Sequence, residues 1–169
     1  MVALAAITIL AVLFTWLTPG PNPIVGRPAV VDGDTLRFGS TRVRLTGIDA
    51  PELDQICTGA DGRDYPCGVE AKAYVTSLIA TGDTRCNPSG RDRYGRTLAQ
   101  CTTAGRDLAQ AIAEAGWAVT EPGYAFASLS ARSGKRGIWQ GRFEDPADWR
   151  RDHSATEPGL WEWIRSWFQ

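Results

Sequence analysis

The chain has 169 residues with 18 basic and 19 acidic side chains, a formal net charge of -1. That length fits one domain with a core of its own, and the balanced charge argues against a global basic field, so any contact with nucleic acid must come from a local patch. The single histidine, His153, sits in the tail and reads as a surface residue, which argues against a histidine-built zinc site or a Ser-His-Asp hydrolase.

The first element is apolar. Val2 to Leu17 carries no charge and is followed by Thr18-Pro19-Gly20-Pro21-Asn22-Pro23. A spanning helix wants about 20 apolar residues, and a secretory signal needs a core of about 7–15 residues with a small-x-small cleavage site. No such site is evident after Leu17, and no lysine or arginine precedes the apolar run. The expectation for residues 1–23 is therefore a hydrophobic helix, either an uncleaved membrane anchor or a cleaved signal, with a stiff Pro-rich spacer after it. A soluble core helix is the third reading, but it would show a polar face. Anchor and signal both put the rest of the chain outside the cytoplasm, on the periplasmic or outer side of a membrane or secreted.

Ala29-Val30-Val31 reads as a short strand entering the Asp32-Gly33-Asp34 turn. Thr35-Leu36-Arg37-Phe38 and Arg42-Val43-Arg44-Leu45 alternate around Gly39-Ser40, a hairpin signal. That alternation puts Arg44 on the face opposite Val43 and Leu45. Gln55 to Pro66 is a Gly- and Asp-rich loop. A helix follows with Ala71, Tyr74, Val75, Leu78 and Ile79 on one face, and Gly82 ends it. Thr84-Arg85-Cys86 and Thr97 to Cys101 read as paired strands. Asp107 caps a second helix that Gly116 closes, and a third runs from about Phe126 to Arg136. Asp145-Pro146 looks like another helix start. Leu160 to Phe168 is Trp-rich, with apolar residues at i, i+4, i+7 and i+8; it either packs back on the domain or seeks a membrane interface.

This order predicts a mainly β fold with helices, of the α+β class: a small, mostly antiparallel barrel with about three packed helices. The domain is expected over 24–140, with 141–169 as a Trp-rich helical extension.

Four cysteines, Cys57, Cys67, Cys86 and Cys101, lack the C-x-x-C spacing of zinc or redox sites. In an exported chain an even count suggests two disulfides. Three connectivities are possible. The favoured one joins Cys57 to Cys67 and Cys86 to Cys101; four reduced thiols are the alternative.

The chemistry concentrates in two acidic turns, Asp32-Gly33-Asp34 and Asp49-Ala50-Pro51-Glu52, with Arg44 between them. Carboxylate oxygens are ligands for hard divalent cations, and a planar guanidinium grips phosphate oxygens two at a time. Together they describe a place for a metal ion and a phosphodiester.

The stretch from Val30 to Glu52 resembles the staphylococcal nuclease family. The D-G-D-T at Asp32 to Thr35, the R-L at Arg44-Leu45 and the D-A-P-E at Asp49 to Glu52 stand in family order. A further block, Asp92-Arg93-Tyr94-Gly95-Arg96, follows. The resemblance covers roughly 24–139 and implies a five-stranded OB-fold barrel. It implies that Asp34 and Asp49 bind Ca2+ together with the backbone carbonyl at Ala50. It makes Glu52 the residue that handles the attacking water, and Arg44 and Arg96 the pair that stabilises the transition state. Arg93 and Tyr94 would contact a terminal phosphate, and Tyr124 would pack on the nucleotide. Pro122 stands where the family has a neighbouring tyrosine, so the base platform is thinner here. The implied protein is a monomeric calcium-dependent nuclease acting on DNA or RNA and leaving 3′-phosphate ends. The alternatives are a non-catalytic OB-fold nucleic-acid-binding module at the membrane and a membrane-tethered scaffold working through its Trp-rich tail.

Overall fold

The computed structural model describes residues 21–154. The apolar N-terminal helix, expected within 1–23, and the Trp-rich stretch 160–168 lie wholly or almost wholly outside the described residues. No helix among the described residues is long and apolar enough to cross a membrane.

The strands in chain order are β1 Ile24–Gly26, β2 Ala29–Val30, β3 Thr35–Phe38, β4 Thr41–Leu45, β5 Ile48–Asp49, β6 Cys57–Thr58, β7 Asp64–Tyr65, β8 Thr84–Arg91, β9 Thr97–Thr103, β10 Arg106–Asp107 and β11 Val119–Thr120. The helices are α1 Cys67–Ile79, α2 Leu108–Glu114, α3 Ala125–Ser133 and α4 Pro146–Ser154. The main sheet has seven strands, six of them in the order β1-β8-β9-β4-β3-β2 with β10 added beside β9. Its pairs are antiparallel except β4 with β9, which run parallel. The chain thus adopts the expected α+β, OB-like architecture, with more and shorter strands than the five anticipated.

Alternation decides the faces of β4. Val43 and Leu45 are buried in the core with Leu36, Val75, Leu108 and Ile112, while Arg44 points the other way. Helix α1 buries Ala71 and Val75 as its spacing predicts. Asp107 caps α2 by accepting a hydrogen bond from the Gln110 N–H at 3.0 Å.

Both favoured disulfides form. Cys57 and Cys67 have Cα atoms 5.6 Å apart, and Cys86 and Cys101 stand opposite each other on β8 and β9 with Cα atoms 4.0 Å apart. Closing loops of this size stabilises by roughly 3 kcal/mol each in the chain-entropy model.

Three expectations change. The loop from Gln55 to Pro66 contains a small hairpin, β6–β7, beside the Cys57–Cys67 bond. Strand β8 runs on from Cys86 to Arg91, because a bulge between Pro88 and Gly90 absorbs the proline. Helix α3 stops at Ser133 rather than near Arg136, since Gly134 follows and Lys135 takes a left-handed φ of 48°. The helix start expected at Asp145-Pro146 is borne out: α4 begins at Pro146, which is fully buried.

Candidate active site

The two acidic turns meet because Gly33 has no side chain. A Cβ there would stand 2.6 Å from the Ala50 Cβ and 3.1 Å from that of Ala71. With that space open, the Ala50 N–H donates to Asp34 Oδ2 at 3.0 Å. Asp34 is 2% exposed. Burial pushes its carboxyl up to about 7, against the pull of Arg44.

Arg44 joins the turns. Its Nη1 donates to Asp34 Oδ1 at 2.7 Å and its Nη2 to Asp49 Oδ1 at 2.6 Å. One guanidinium therefore reaches both carboxylates, the pair expected to share an ion. Ala50, expected to lend its carbonyl, is buried beside them.

Glu52 is held from two sides. Its N–H donates to Gln55 Oε1 at 3.1 Å, and the fully buried Gln55 donates from Nε2 to the Glu144 carbonyl at 2.7 Å. Beneath it, α1 approaches so closely that a Cβ on Gly68 would lie 1.7 Å from the Glu52 carbonyl oxygen.

Arg96 is aimed by Asp92. The Asp92 carboxylate accepts from the Tyr94 N–H at 2.9 Å, the Arg96 N–H at 2.9 Å and Arg96 Nε at 2.7 Å. Burial opposes the Asp92 charge, yet these hydrogen bonds and the Arg96 charge hold its carboxyl below the usual range. Tyr94 is 68% exposed and carries Arg93 4.8 Å from its ring centroid.

Arg44, Glu52, Asp92, Arg93, Tyr94 and Arg96 line one cleft of about 680 Å³, whereas Asp34, Asp49 and Ala50 are not among its walls. Arg42, Arg44, Arg93, Arg96 and Arg150 face it, with Asp32, Glu52, Asp92 and Tyr94 among the other walls. Tyr124 does not join them. Its ring packs over Gly47 and against the core, and its hydroxyl donates to Asp107 Oδ2 at 3.1 Å. The structure gives it a place supporting the turn before Asp49, away from the cleft.

Two cleft residues, Arg42 and Arg150, were not singled out by the sequence. Arg150, on α4, donates from Nη1 to Asp49 Oδ1 at 2.9 Å and from Nη2 to Asp49 Oδ2 at 2.8 Å. Its Nη1 also donates to Glu52 Oε1 at 2.8 Å. The segment set apart as an extension from 141 thus reaches into the site. Asp145-Pro146 signals the helix, but nothing in the sequence marks Arg150 over Arg151.

The donor set is all oxygen, as a hard cation prefers. Among the described residues no three acidic side chains stand ready to hold one ion together. The guanidiniums of Arg44 and Arg150 stand among the carboxylates instead. The carboxylate oxygens of Asp34 and Asp49 are of the kind a divalent cation takes, and in this structure they are engaged by Arg44 and Arg150.

A family model described as staphylococcal nuclease homologue matches residues 42–141. The chain belongs to the staphylococcal nuclease family. It is 40% identical over 141 residues to a succinoglycan biosynthesis protein, ExoI, of Rhizobium meliloti (strain 1021), covering 79% of this chain and 74% of that protein. An uncharacterized endonuclease of Escherichia coli O157:H7 is 34% identical over 121 residues, 65% of this chain and 72% of that one. A probable endonuclease of Schizophyllum commune is 29% identical over 148 residues, 73% of this chain but 49% of its own length. The stretch that matches the staphylococcal nuclease model contains Arg44, Asp49, Glu52, Arg93, Tyr94 and Arg96, whereas Arg150 lies beyond it.

Proposed function

We propose that this protein is a calcium-dependent nuclease that hydrolyses phosphodiester bonds of DNA, with RNA as a second substrate class, outside the cytoplasm. The observation that carries the reading is Arg44 spanning Asp34 and Asp49 in a cleft shared with Glu52 and Arg96. Asp34 and Asp49, with the Ala50 carbonyl, would hold Ca2+, which when bound polarises the phosphate and supplies positive charge. Glu52 accepts a proton from the attacking water. Arg44 and Arg96 donate to the equatorial oxygens as charge builds on them. Arg93 and Tyr94, at the exposed side of the cleft, contact the terminal phosphate of a bound nucleotide. The products carry 3′-phosphates, as the family resemblance implies.

Two disulfides support an oxidising compartment. The relatives named as endonucleases support the reaction class. One relative is named for succinoglycan biosynthesis instead; five arginines around one cleft suit a chain of phosphodiesters, whose oxygens a guanidinium grips two at a time.

The test is a plasmid digestion with calcium, with chelator and with Glu52→Gln. Cleavage should appear only with calcium and the unaltered glutamate. Binding of DNA without divalent-dependent cleavage in any arm would favour the non-catalytic module.

A further inference from the structure

Arg150 stands where two clefts meet. A second cleft of about 410 Å³ runs along α4 and shares Arg93, Tyr94 and Arg150 with the first. The Arg150 side chain is 40% exposed, whereas that of Arg44 is 16% exposed. The pairs of Arg150 are part-buried but more open to solvent than those of Arg44, and the cost of breaking an ion pair rises with its burial. Arg44 is therefore the fixed guanidinium of the site and Arg150 the replaceable one.

Charge balance points the same way. Asp34, Asp49 and Glu52 face Arg44 and Arg150, which leaves one carboxylate unmatched. A divalent ion held by Asp34 and Asp49, exchanged for the Arg150 charge with Arg44 retained, would balance all three. The same exchange frees a planar cation at the mouth of a cleft already walled by Arg93 and Tyr94, where a backbone phosphate would be received.

We propose that Arg150 is a positioning residue that couples cation binding to polynucleotide binding. Without ligands it holds Asp49 and Glu52; when a divalent cation takes Asp49, the guanidinium releases Glu52 as well and turns to a backbone phosphate in the cleft along α4. Because linkage is reciprocal, each ligand then tightens the other. The proposal rests on reading the site as that of a metal-dependent nuclease.

Calorimetric titration of the full chain with Ca2+ at pH 8, with and without a phosphorothioate-linked oligothymidylate, tests it in wild type, Arg150→Ala and Arg150→Lys. In wild type the oligonucleotide should tighten Ca2+ binding about ten-fold, a typical coupling between two ligand sites. Arg150→Ala should bind Ca2+ about ten-fold more tightly than wild type when the oligonucleotide is absent, and lose most of the dependence on it. Arg150→Lys, which keeps the charge, should retain part of that dependence. Equal Ca2+ affinities and equal coupling in all three proteins would overturn the role given to Arg150, and intact calcium-dependent cleavage of plasmid by the same three proteins would leave the nuclease reading standing. Absence of both Ca2+ binding and cleavage in wild type would remove the two together.

Discussion

Arg150 and Asp49 are separated by 101 positions and joined by two hydrogen bonds of 2.9 and 2.8 Å. Asp49 is also the second partner of Arg44, so one carboxylate is shared between a guanidinium from β4 and one from α4. The barrel supplies the fixed part of the site, and the segment after it supplies the part that can leave.

The fixed part should tolerate little change. Arg44→Lys replaces a fork that spans Asp34 and Asp49 with an ammonium that can reach one of them at a time. Loss of one donor aimed at a developing oxyanion costs on the order of 10²–10³ in rate. The expectation is a fall of that size in kcat, with the fold retained. Steady-state kinetics on a plasmid or a fluorogenic oligonucleotide would check it, and near wild-type turnover would remove Arg44 from the chemistry.

Asp34 makes stability depend on pH. Its carboxyl is raised from 3.8 to about 7, first by burial, so the folded chain binds this proton more tightly than the unfolded chain does. The contribution to stability is fully present below the unfolded value and is lost as pH rises through about 7. Asp34→Asn cannot titrate. Urea midpoints measured with chelator from pH 4.5 to 8 should therefore decline more steeply with pH in wild type than in Asp34→Asn. Parallel profiles would show that Arg44 already keeps the carboxylate ionised.

The position of Glu52 depends on a missing side chain. A Gly68 Cβ would fall 1.7 Å from the Glu52 carbonyl oxygen, so Gly68→Ala must push α1 and the Asp49–Glu52 turn apart. Overpacking of this kind costs about 1–3 kcal/mol, and a displaced catalytic group loses up to about 10² in rate. Chemical denaturation together with kcat should show both losses. A variant that is destabilised but turns over normally when folded would mean that Glu52 is set by Gln55 instead.

The legible parts were those carried by short-range pattern. The strand alternation around Arg44 is written in adjacent residues, and the two acidic turns and the Asp92–Arg96 loop each span only a few positions. The disulfides followed from count and spacing. Arg150 was not legible because its partners lie 98 and 101 positions away and its neighbour Arg151 has the same side chain. Strands β6 and β7 were not legible because each has two residues, too few for a period, and they pair beside the covalent bond from Cys57 to Cys67. The neighbours of Tyr124 were not legible for a related reason: an aromatic near a site reads as a stacking platform until its contacts are known. Here they are Gly47, Gln100 and Asp107.

That placement of Tyr124 gives a discriminating experiment. The hydroxyl donates to the carboxylate of Asp107, which caps α2, and accepts from Gln100 Nε2 at 3.3 Å. Tyr124→Phe keeps the ring over Gly47 and removes only these hydrogen bonds. A net hydrogen bond contributes about 1 kcal/mol, so the unfolding free energy should fall by roughly that amount. KM for an oligonucleotide should stay at the wild-type value, because the hydroxyl faces Asp107 and is not a wall of the cleft. Tyr94→Ala is the contrast: its exposed side chain lines both clefts, so KM should rise while stability holds. A rise in KM for Tyr124→Phe comparable to that of Tyr94→Ala would put Tyr124 back against the substrate.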